Sequence, residues 1–158
     1  GGICKALPML GTAEFFSINS DTICLNGSKP ALHRLREHWN AESMDALLLV
    51  QPVAAAVGYE GKGDFFLGAD GVLERRGARA SAPYVFTGVQ MLHARLFTDL
   101  PNGAFSMNVL YDRLMRSAQP PRVRGLVHDG HWLHVGDPAG VLQAEAFLAS
   151  RELIPQSV

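Results

Sequence analysis

The segment FFSINSDTI, residues 15–23, joins a short aromatic and apolar stretch that suits a buried strand to a cluster of small polar residues around Asp21. In an open α/β sheet, ligands bind beyond the carboxyl ends of the parallel strands. A carboxylate at such a position can hold Mg²⁺, which completes its shell with water and substrate phosphates. A polar turn or a helix cap explains the same residues, and the local pattern alone favours that interpretation. The local pattern leaves both interpretations of Asp21 open.

Outward from this segment, the pattern predicts a strand, a helix and a second strand over residues 14–51. The helix SKPALHRLREHWN has Ser28 as a possible N-cap and Pro30 in its first turn. The run MDALLLVQP is apolar throughout and ends at Pro52, which is typical of a strand buried on both faces. This order predicts one βαβ unit.

The flanking segments predict further helices and strands. ICKALPML is predicted as a short helix limited by Pro8. A turn at 69–71 separates short strands, and YVFTGVQML, RVRGLVHDG and HWLHVG are predicted as later strands. NVLYDRLMRSA is a predicted helix with the apolar stripe Val109, Leu110, Leu114 and Met115. DPAGVLQAEAFLAS is a predicted last helix, with Asp137 as N-cap and Pro138 at its first position.

Together these elements predict one α/β domain over residues 1–158, with a mixed sheet and flanking helices, parallel in front and mixed behind. A hydrophobic fraction of 47% and a charged fraction of 18% fit a packed globular chain. The net charge of −1 argues against binding to nucleic acid or to an anionic membrane. Cys4 and Cys24 form neither a metal-type spacing nor a disulfide framework. No membrane-spanning run or secretory signal stands out, so the default expectation is a cytoplasmic protein.

The motif GHWLHVGDP, residues 130–138, is a second candidate site, because a strand ends there and a capped helix follows. Helix N-termini present free N–H groups to anions. An ordinary connection between a strand and a helix explains the motif as well. His128, His131 and His134 recur every third residue and raise the question of zinc. Strand alternation places His131 and His134 on opposite faces and no cysteine accompanies them, which argues against zinc.

Two small polar clusters and one glycine complete the candidates. The clusters at 61–64 and 74–76 are predicted as solvated loops or as parts of a site. Gly88 lies inside a predicted strand, which indicates close approach of a ligand or of another backbone.

Taken in order, the motifs resemble the sugar-1-phosphate nucleotidyltransferase family over nearly the whole chain. The matching segments are GGICKALPML, FFSINSDTI, MDALLLVQP, GDFFLGADGVLERR, PYVFTGVQML, FSMNVLYDR and HDGHWLHVGDP. The most similar branches are the N-acetylmuramate-1-phosphate uridylyltransferases and the mannose-1-phosphate guanylyltransferases. The resemblance implies a glycosyltransferase-A-like, Rossmann-like fold. It also implies a reaction in which UTP or GTP and a sugar 1-phosphate give a nucleotide-sugar and pyrophosphate.

The resemblance also implies a role for individual residues. Asp21 is similar to the family's first Mg²⁺ carboxylate and is the implied catalytic residue. Gly1 and Gly2 resemble the end of a glycine cluster that contacts the nucleotide. The residues that match the family's sugar pocket are Gly63, Glu74, Thr87 and Gly88.

The sequence departs from the family pattern at two places. His134 stands where the family has a second metal aspartate, and imidazole is a poorer Mg²⁺ ligand than carboxylate. His134 is therefore expected to bind metal weakly, to contact phosphate or to have changed role. Arg75 and Arg76 stand where the family has a phosphate-binding lysine, and they keep the charge without the compact ammonium geometry.

The start GGICKALPML reads like the interior of a domain, although a trimmed initiator Met is an alternative. The expectation is an N-terminally truncated enzyme that lacks the family's glycine-rich nucleotide loop and is inactive as a fragment. The rival hypothesis is a non-catalytic sugar- or nucleotide-binding regulatory domain with the same fold.

Overall fold

A computed structural model of the protein describes residues 2–11, 13–98, 100, 105–117 and 121–152. The helices are α1 (Gly2–Leu10), α2 (Ala31–His38), α3 (Met107–Ser117) and α4 (Pro138–Glu152). The first strands are β1 (Glu14–Ile18), β2 (Thr22–Leu25), β3 (Ala46–Pro52), β4 (Ala56–Val57) and β5 (Phe65–Leu67). The later strands are β6 (Leu73–Arg75), β7 (Tyr84–His93), β8 (Val123–Val127) and β9 (His131–His134).

The main sheet has the strand order β6-β5-β7-β3-β8, and β1 pairs with β7 beside this path. Strand β3 is buried from Ala46 to Gln51, as its continuous apolar run predicts. It pairs in parallel with β8 and antiparallel with β7. The mixed α/β architecture predicted from the sequence is therefore confirmed.

The arrangement at the front of the chain corrects the sequence-based expectation. Strands β1 and β3 run in the same direction around α2, but β7 lies between them and pairs antiparallel with both. Strand β7 has ten residues and is buried over most of its length, so it needs neighbours on both sides. In the main sheet the parallel pairing thus forms between β3 and β8, and β1 is not part of a parallel front.

Helices cover both faces of the main sheet. Helices α1 and α3 pack on one face, where Leu48, Phe65 and Leu110 belong to the larger core cluster. Helix α2 packs on the other face through Ala31 and Leu35. The stripe of α3 differs from the prediction in two ways: Val109 is 45% exposed, whereas Tyr111 is buried.

A second, three-stranded sheet has the order β2-β9-β4 and carries α4. The indole Nε1 of Trp132 on β9 donates a hydrogen bond of 2.9 Å to the carbonyl of Thr87 on β7. This bond joins the small sheet to the main sheet near the carboxyl end of β1. The position of the small sheet therefore determines which side chains lie next to the carboxyl end of β1.

Three helix termini test the capping predictions. Asp137 caps α4 as predicted, since its Oδ1 accepts from the N–H of Gly140 at 2.8 Å. Helix α2 is capped by Asn26, whose side chain accepts from Ala31, while the Ser28 hydroxyl binds Asp129 instead. Helix α1 continues past Pro8 to Leu10, beyond the predicted limit. Within the described ranges, no helix has the length and apolar character needed to cross a membrane.

Candidate functional site

The turn between β1 and β2 places Asp21 beside the end of β9. Thr22 pairs with His134 in the antiparallel register, and the N–H of Val135 donates to the Asp21 carbonyl at 2.9 Å. A Cβ added to Gly136 would lie 2.7 Å from His134 Nε2 and 3.5 Å from Asp21 Oδ2. The structure therefore brings the two predicted metal residues to the same space above Gly136, where an added side chain would crowd the His134 ring.

The orientation of His134 follows from its contact with Gly58. The ring Nδ1 lies 3.3 Å from the Gly58 carbonyl oxygen. A carbonyl oxygen can only accept, so Nδ1 carries the hydrogen in this bond, and in a neutral ring the lone pair is then on Nε2. Histidines that bind metals commonly donate their second ring N–H to a backbone carbonyl in this way. The lone pair of Nε2 faces the space that it shares with Asp21.

Asp21 is exposed, and its carboxylate makes no side-chain hydrogen bond or ion pair with any described residue. Across the described residues, no group of three or more His, Cys, Asp or Glu side chains surrounds a possible ion position. Mg²⁺ commonly takes one or two protein ligands and fills the remaining positions with water and substrate phosphates. One free carboxylate beside one imidazole lone pair fits such an ion when a phosphate substrate is present.

A cleft of about 620 Å³ opens next to His134. Its walls are the loop from Gly58 to Gly61 and the first turn of α4. Asp137 satisfies two N–H groups of that turn, because its side chain accepts from Gly140 and its carbonyl accepts from Val141. The predicted anion site at the start of α4 is thereby partly occupied by the helix cap.

Gly63 lies in the loop that leaves this cleft, and it is held from both sides. Its N–H donates to the Tyr59 hydroxyl at 3.1 Å, and its carbonyl accepts from Arg76 Nε at 3.0 Å. Its φ is +73°, and a Cβ there would lie 2.1 Å from the Ala82 carbonyl oxygen, so glycine is required. Burial and, next, the charge of Asp64 raise the pKa of Tyr59, which keeps the hydroxyl protonated. Arg76 thus holds the Gly63 backbone in place. The predicted role of Arg76 in phosphate binding did not include this contact.

The neighbouring residues of β6 have protein partners as well. Glu74 is exposed and forms an ion pair with Arg79. Arg75 Nε donates to Asp112 at 2.7 Å, and its guanidinium lies 4.9 Å from the centre of the Phe65 ring. A sugar contact by Glu74 and a phosphate contact by Arg75 stay predictions, and each would compete with these protein partners.

Thr87 and Gly88, both predicted for the sugar pocket, have contacts within the protein. The Thr87 side chain is fully buried, and its hydroxyl donates to the Leu49 carbonyl at 2.8 Å and accepts from the Val89 N–H at 3.2 Å. It therefore has no free hydroxyl to offer a ligand. Gly88 has a φ of +82°, and a Cβ there would lie 2.8 Å from Asn19 Cβ. The residue that closely approaches Gly88 is Asn19, which directly follows β1, and a ligand contact at Gly88 stays a prediction.

Gly88 also marks an irregularity in strand pairing. Leu48 pairs with Gln90 whereas Val50 pairs with Phe86, so β7 contains extra residues opposite Leu49. This is a β-bulge, a feature that often re-aims a strand near a site. The bulge turns the Gly88 carbonyl toward β1, where it accepts from the Asn19 N–H at 2.9 Å and fixes the start of the Asp21 turn.

The remaining candidates lie apart from this site. His128 is buried, with Nε2 3.1 Å from the Leu25 carbonyl oxygen, and burial lowers its pKa. His131 Nε2 faces Arg151 at 2.6 Å. The three imidazole rings thus have different hydrogen-bond partners. Gly2 lies at the exposed start of α1 with no atom within 4 Å of an added Cβ, and Gly1 falls outside the described residues.

Sequence reasoning missed three residues that shape the site: Gly58, Tyr59 and Gly136. Gly58 packs against the helix start, because a Cβ there would lie 2.6 Å from the His134 carbonyl oxygen and 3.1 Å from Gly140 Cα. The closely spaced glycines of GYEGKG and VGDPAG were the available signal. They indicated close backbone approach but not which segments approach each other.

Comparison with solved structures defines the class of fold. An inositol-1-phosphate CTP transferase from T. maritima superposes with a TM-score of 0.67 and 12% identity, over 99% of this chain and 62% of that chain. A UDP-glucose pyrophosphorylase superposes with a TM-score of 0.66 and 17% identity, over 94% of this chain and 59% of that chain. These similarities show the glycosyltransferase-A-like fold of the nucleotidyltransferases.

The sequence comparison narrows this class. The chain is 38% identical over 149 residues to the N-acetylmuramate alpha-1-phosphate uridylyltransferase of Caulobacter vibrioides, over 94% of this chain and 60% of that protein. No protein-family model matches the sequence. The chain thus spans about 60% of the length of this relative, and its resemblance to the sugar-1-phosphate nucleotidyltransferase family is confirmed.

Proposed function

We propose that this chain supplies the sugar side and part of the metal site of a sugar-1-phosphate nucleotidyltransferase. In the reaction, an oxygen of the sugar phosphate attacks the α-phosphorus of a nucleoside triphosphate. The bond from that phosphorus to the bridging oxygen breaks, and pyrophosphate leaves with the bond electrons. The observation that carries the proposal is the meeting of Asp21 Oδ2 and His134 Nε2 above Gly136.

Asp21 and His134 would hold Mg²⁺, which neutralises phosphate charge and orients the reacting groups. The remaining contribution of the chain is placement of groups around the reactants. The Gly58 carbonyl fixes the His134 ring, and the bond between Gly88 and Asn19 fixes the turn that carries Asp21. These residues hold both side chains at a common point before any substrate arrives.

We further propose that the sugar is N-acetylmuramic acid 1-phosphate and that the triphosphate is UTP. The support is the relative with 38% identity, which is a uridylyltransferase for this sugar phosphate. GTP with mannose 1-phosphate is the second combination that the family resemblance allows. A cytoplasmic location belongs to the same proposal, because nucleoside triphosphates are available there.

The test is release of pyrophosphate by the protein that carries this chain. UTP and GTP are each combined with N-acetylmuramic acid 1-phosphate and mannose 1-phosphate, with and without Mg²⁺. We expect turnover with UTP and N-acetylmuramic acid 1-phosphate, and this turnover should require Mg²⁺. Binding of substrates without pyrophosphate release in any combination would overturn the enzyme proposal and favour a non-catalytic binding domain.

A further inference from the structure

A second cavity, which we call the Lys62 cavity, lies beside the candidate cleft. It has a volume of about 480 Å³, and Gly61 lines both spaces. Its walls are largely apolar, and they include Pro52, Val53, Ala54, Pro83 and Tyr84. The two spaces therefore adjoin at Gly61.

Lys62 is the one charged residue that lines the cavity. Within the described part of the chain, no carboxylate forms an ion pair with it. Its backbone is fixed, since its carbonyl accepts from the Ala82 N–H at 2.8 Å. Two acidic residues flank Lys62 at the same distance along the chain, and neither lines the cavity. Glu60 lines the cleft, and Asp64 accepts from the Phe86 N–H at 2.9 Å. An ammonium group without a partner beside an apolar wall suits an anion that carries a small apolar group.

We propose that the Lys62 cavity is a subsite for a short-chain carboxylate on the sugar, and that Lys62 determines specificity for it. The inference rests on the proposed function. N-acetylmuramic acid differs from N-acetylglucosamine by a lactyl ether, which bears one methyl group and one carboxylate. The apolar wall receives the methyl group, and the Lys62 ammonium donates to the carboxylate. Sugars with a plain hydroxyl in that place gain neither contact.

The test compares two substrates that differ in the lactyl ether alone, N-acetylmuramic acid 1-phosphate and N-acetylglucosamine 1-phosphate, with UTP. In the protein that carries this chain, Lys62→Met should raise the KM for the muramic substrate about tenfold, the loss expected for one charge-assisted hydrogen bond. The KM values for N-acetylglucosamine 1-phosphate and for UTP should stay unchanged. Lys62→Arg should restore part of the preference, because it keeps the charge.

Lys29→Met is the matched control, because Lys29 is an exposed lysine that pairs with Glu37 on α2. It should leave all three KM values unchanged. If Lys62→Met changes both sugar KM values equally or changes neither, the subsite is wrong. A general loss of folding would move every parameter together and would show as a lower melting temperature.

A binding measurement separates this inference from the proposed reaction. Free N-acetylmuramate and N-acetylglucosamine are titrated into the parent protein and into Lys62→Met, and binding is followed by NMR chemical shifts. Tighter binding of N-acetylmuramate that depends on Lys62 supports the subsite even if no pyrophosphate is ever released. Equal affinities for the two sugars, or no binding of either, would overturn it.

Discussion

Two aspartates of this chain have opposite surroundings. Asp45, at the start of β3, is buried, and both of its carboxylate oxygens bind the guanidinium groups of Arg95 and Arg122. Asp21, at the end of β1, is exposed and has no side-chain partner among the described residues. Removing one partner of a paired charge inside the protein destabilises the fold, whereas an unpaired charge beside a cleft is available to a ligand.

The pKa of Asp45 reflects this difference. Burial opposes its ionisation, but the hydrogen bonds from Arg122 and Arg95 outweigh burial and lower the pKa of the carboxyl group. The same guanidinium groups also bind carbonyl oxygens of Ala41, Glu42 and Met44. The cluster thereby anchors the loop that leads into β3. If this contrast is correct, substitution of Asp45 should affect stability, and substitution of Asp21 should affect activity.

The largest expected effect belongs to Asp21. In the protein that carries this chain, Asp21→Asn should lower turnover by about a hundredfold or more, since a neutral amide holds Mg²⁺ poorly and loses charge stabilisation. The melting temperature should stay nearly the same, because the Asp21 side chain has no hydrogen-bond or ion-pair partner among the described residues. Pyrophosphate release and thermal unfolding are measured on the same samples.

Asp70→Asn is the control for Asp21, because Asp70 is another exposed turn aspartate, and its side chain accepts from the Val72 N–H. Its turnover should match that of the parent protein. Near-normal turnover by a folded Asp21→Asn variant would remove Asp21 from the metal site.

The next effect concerns stability. Asp45→Asn should lower the free energy of unfolding by about 2 kcal/mol, because two guanidinium groups lose their ionic partner at a buried position. Urea denaturation measures the change. Glu37→Gln is the surface control, since Glu37 pairs with Lys29 in solvent, and it should have no measurable effect. Equal midpoints for the two variants would contradict a structural role for the Asp45 cluster.

The acid dependence of stability gives a related but smaller effect. Because the folded-state pKa of Asp45 is lowered, its stabilising contribution is complete above the unfolded carboxyl pKa of about 3.9. The contribution is lost as the pH falls through the lower folded-state value. The difference in unfolding free energy between the parent and Asp45→Asn should therefore shrink below about pH 4. A difference that stays constant between neutral and acidic pH would show that the Asp45 charge is not responsible.

Local signals predicted the elements that local interactions form. The continuous apolar run of β3 and the Asp137 cap of α4 are recognisable because each depends on neighbours along the chain. The position of β7 between β1 and β3 depends on pairing across more than thirty residues, as the register of Glu14 with His93 shows. Strand patterns indicate that a segment pairs, but not with which partner.

The candidate site also combines features that the local sequence predicts with features that depend on contacts between distant segments. The sequence placed Asp21 and His134 at strand ends, and the resemblance to the family suggested that they meet; the pairing of β2 with β9 brings them together. The internal hydrogen bonds of Thr87 occur at the bulge opposite Leu49. No local sequence pattern predicts this bulge. The support of Gly63 by Arg76 likewise depends on how the loop folds onto β6.

The smallest predicted effect concerns His134, the partner of Asp21 above Gly136. Oxygen ligands suit Mg²⁺ better than imidazole does, so His134→Asp should lower the Mg²⁺ concentration needed for half-maximal activity severalfold. His134→Ala should raise it, because water would replace a protein ligand. Both variants lose the bond to the Gly58 carbonyl, so that loss alone cannot explain a shift in opposite directions. Activity is titrated with Mg²⁺ at saturating substrate, and the KM for UTP at saturating Mg²⁺ serves as a check on the rest of the site. If both variants keep the parent's Mg²⁺ dependence, His134 is not a ligand, and Asp21 would hold the ion with water and substrate phosphates alone.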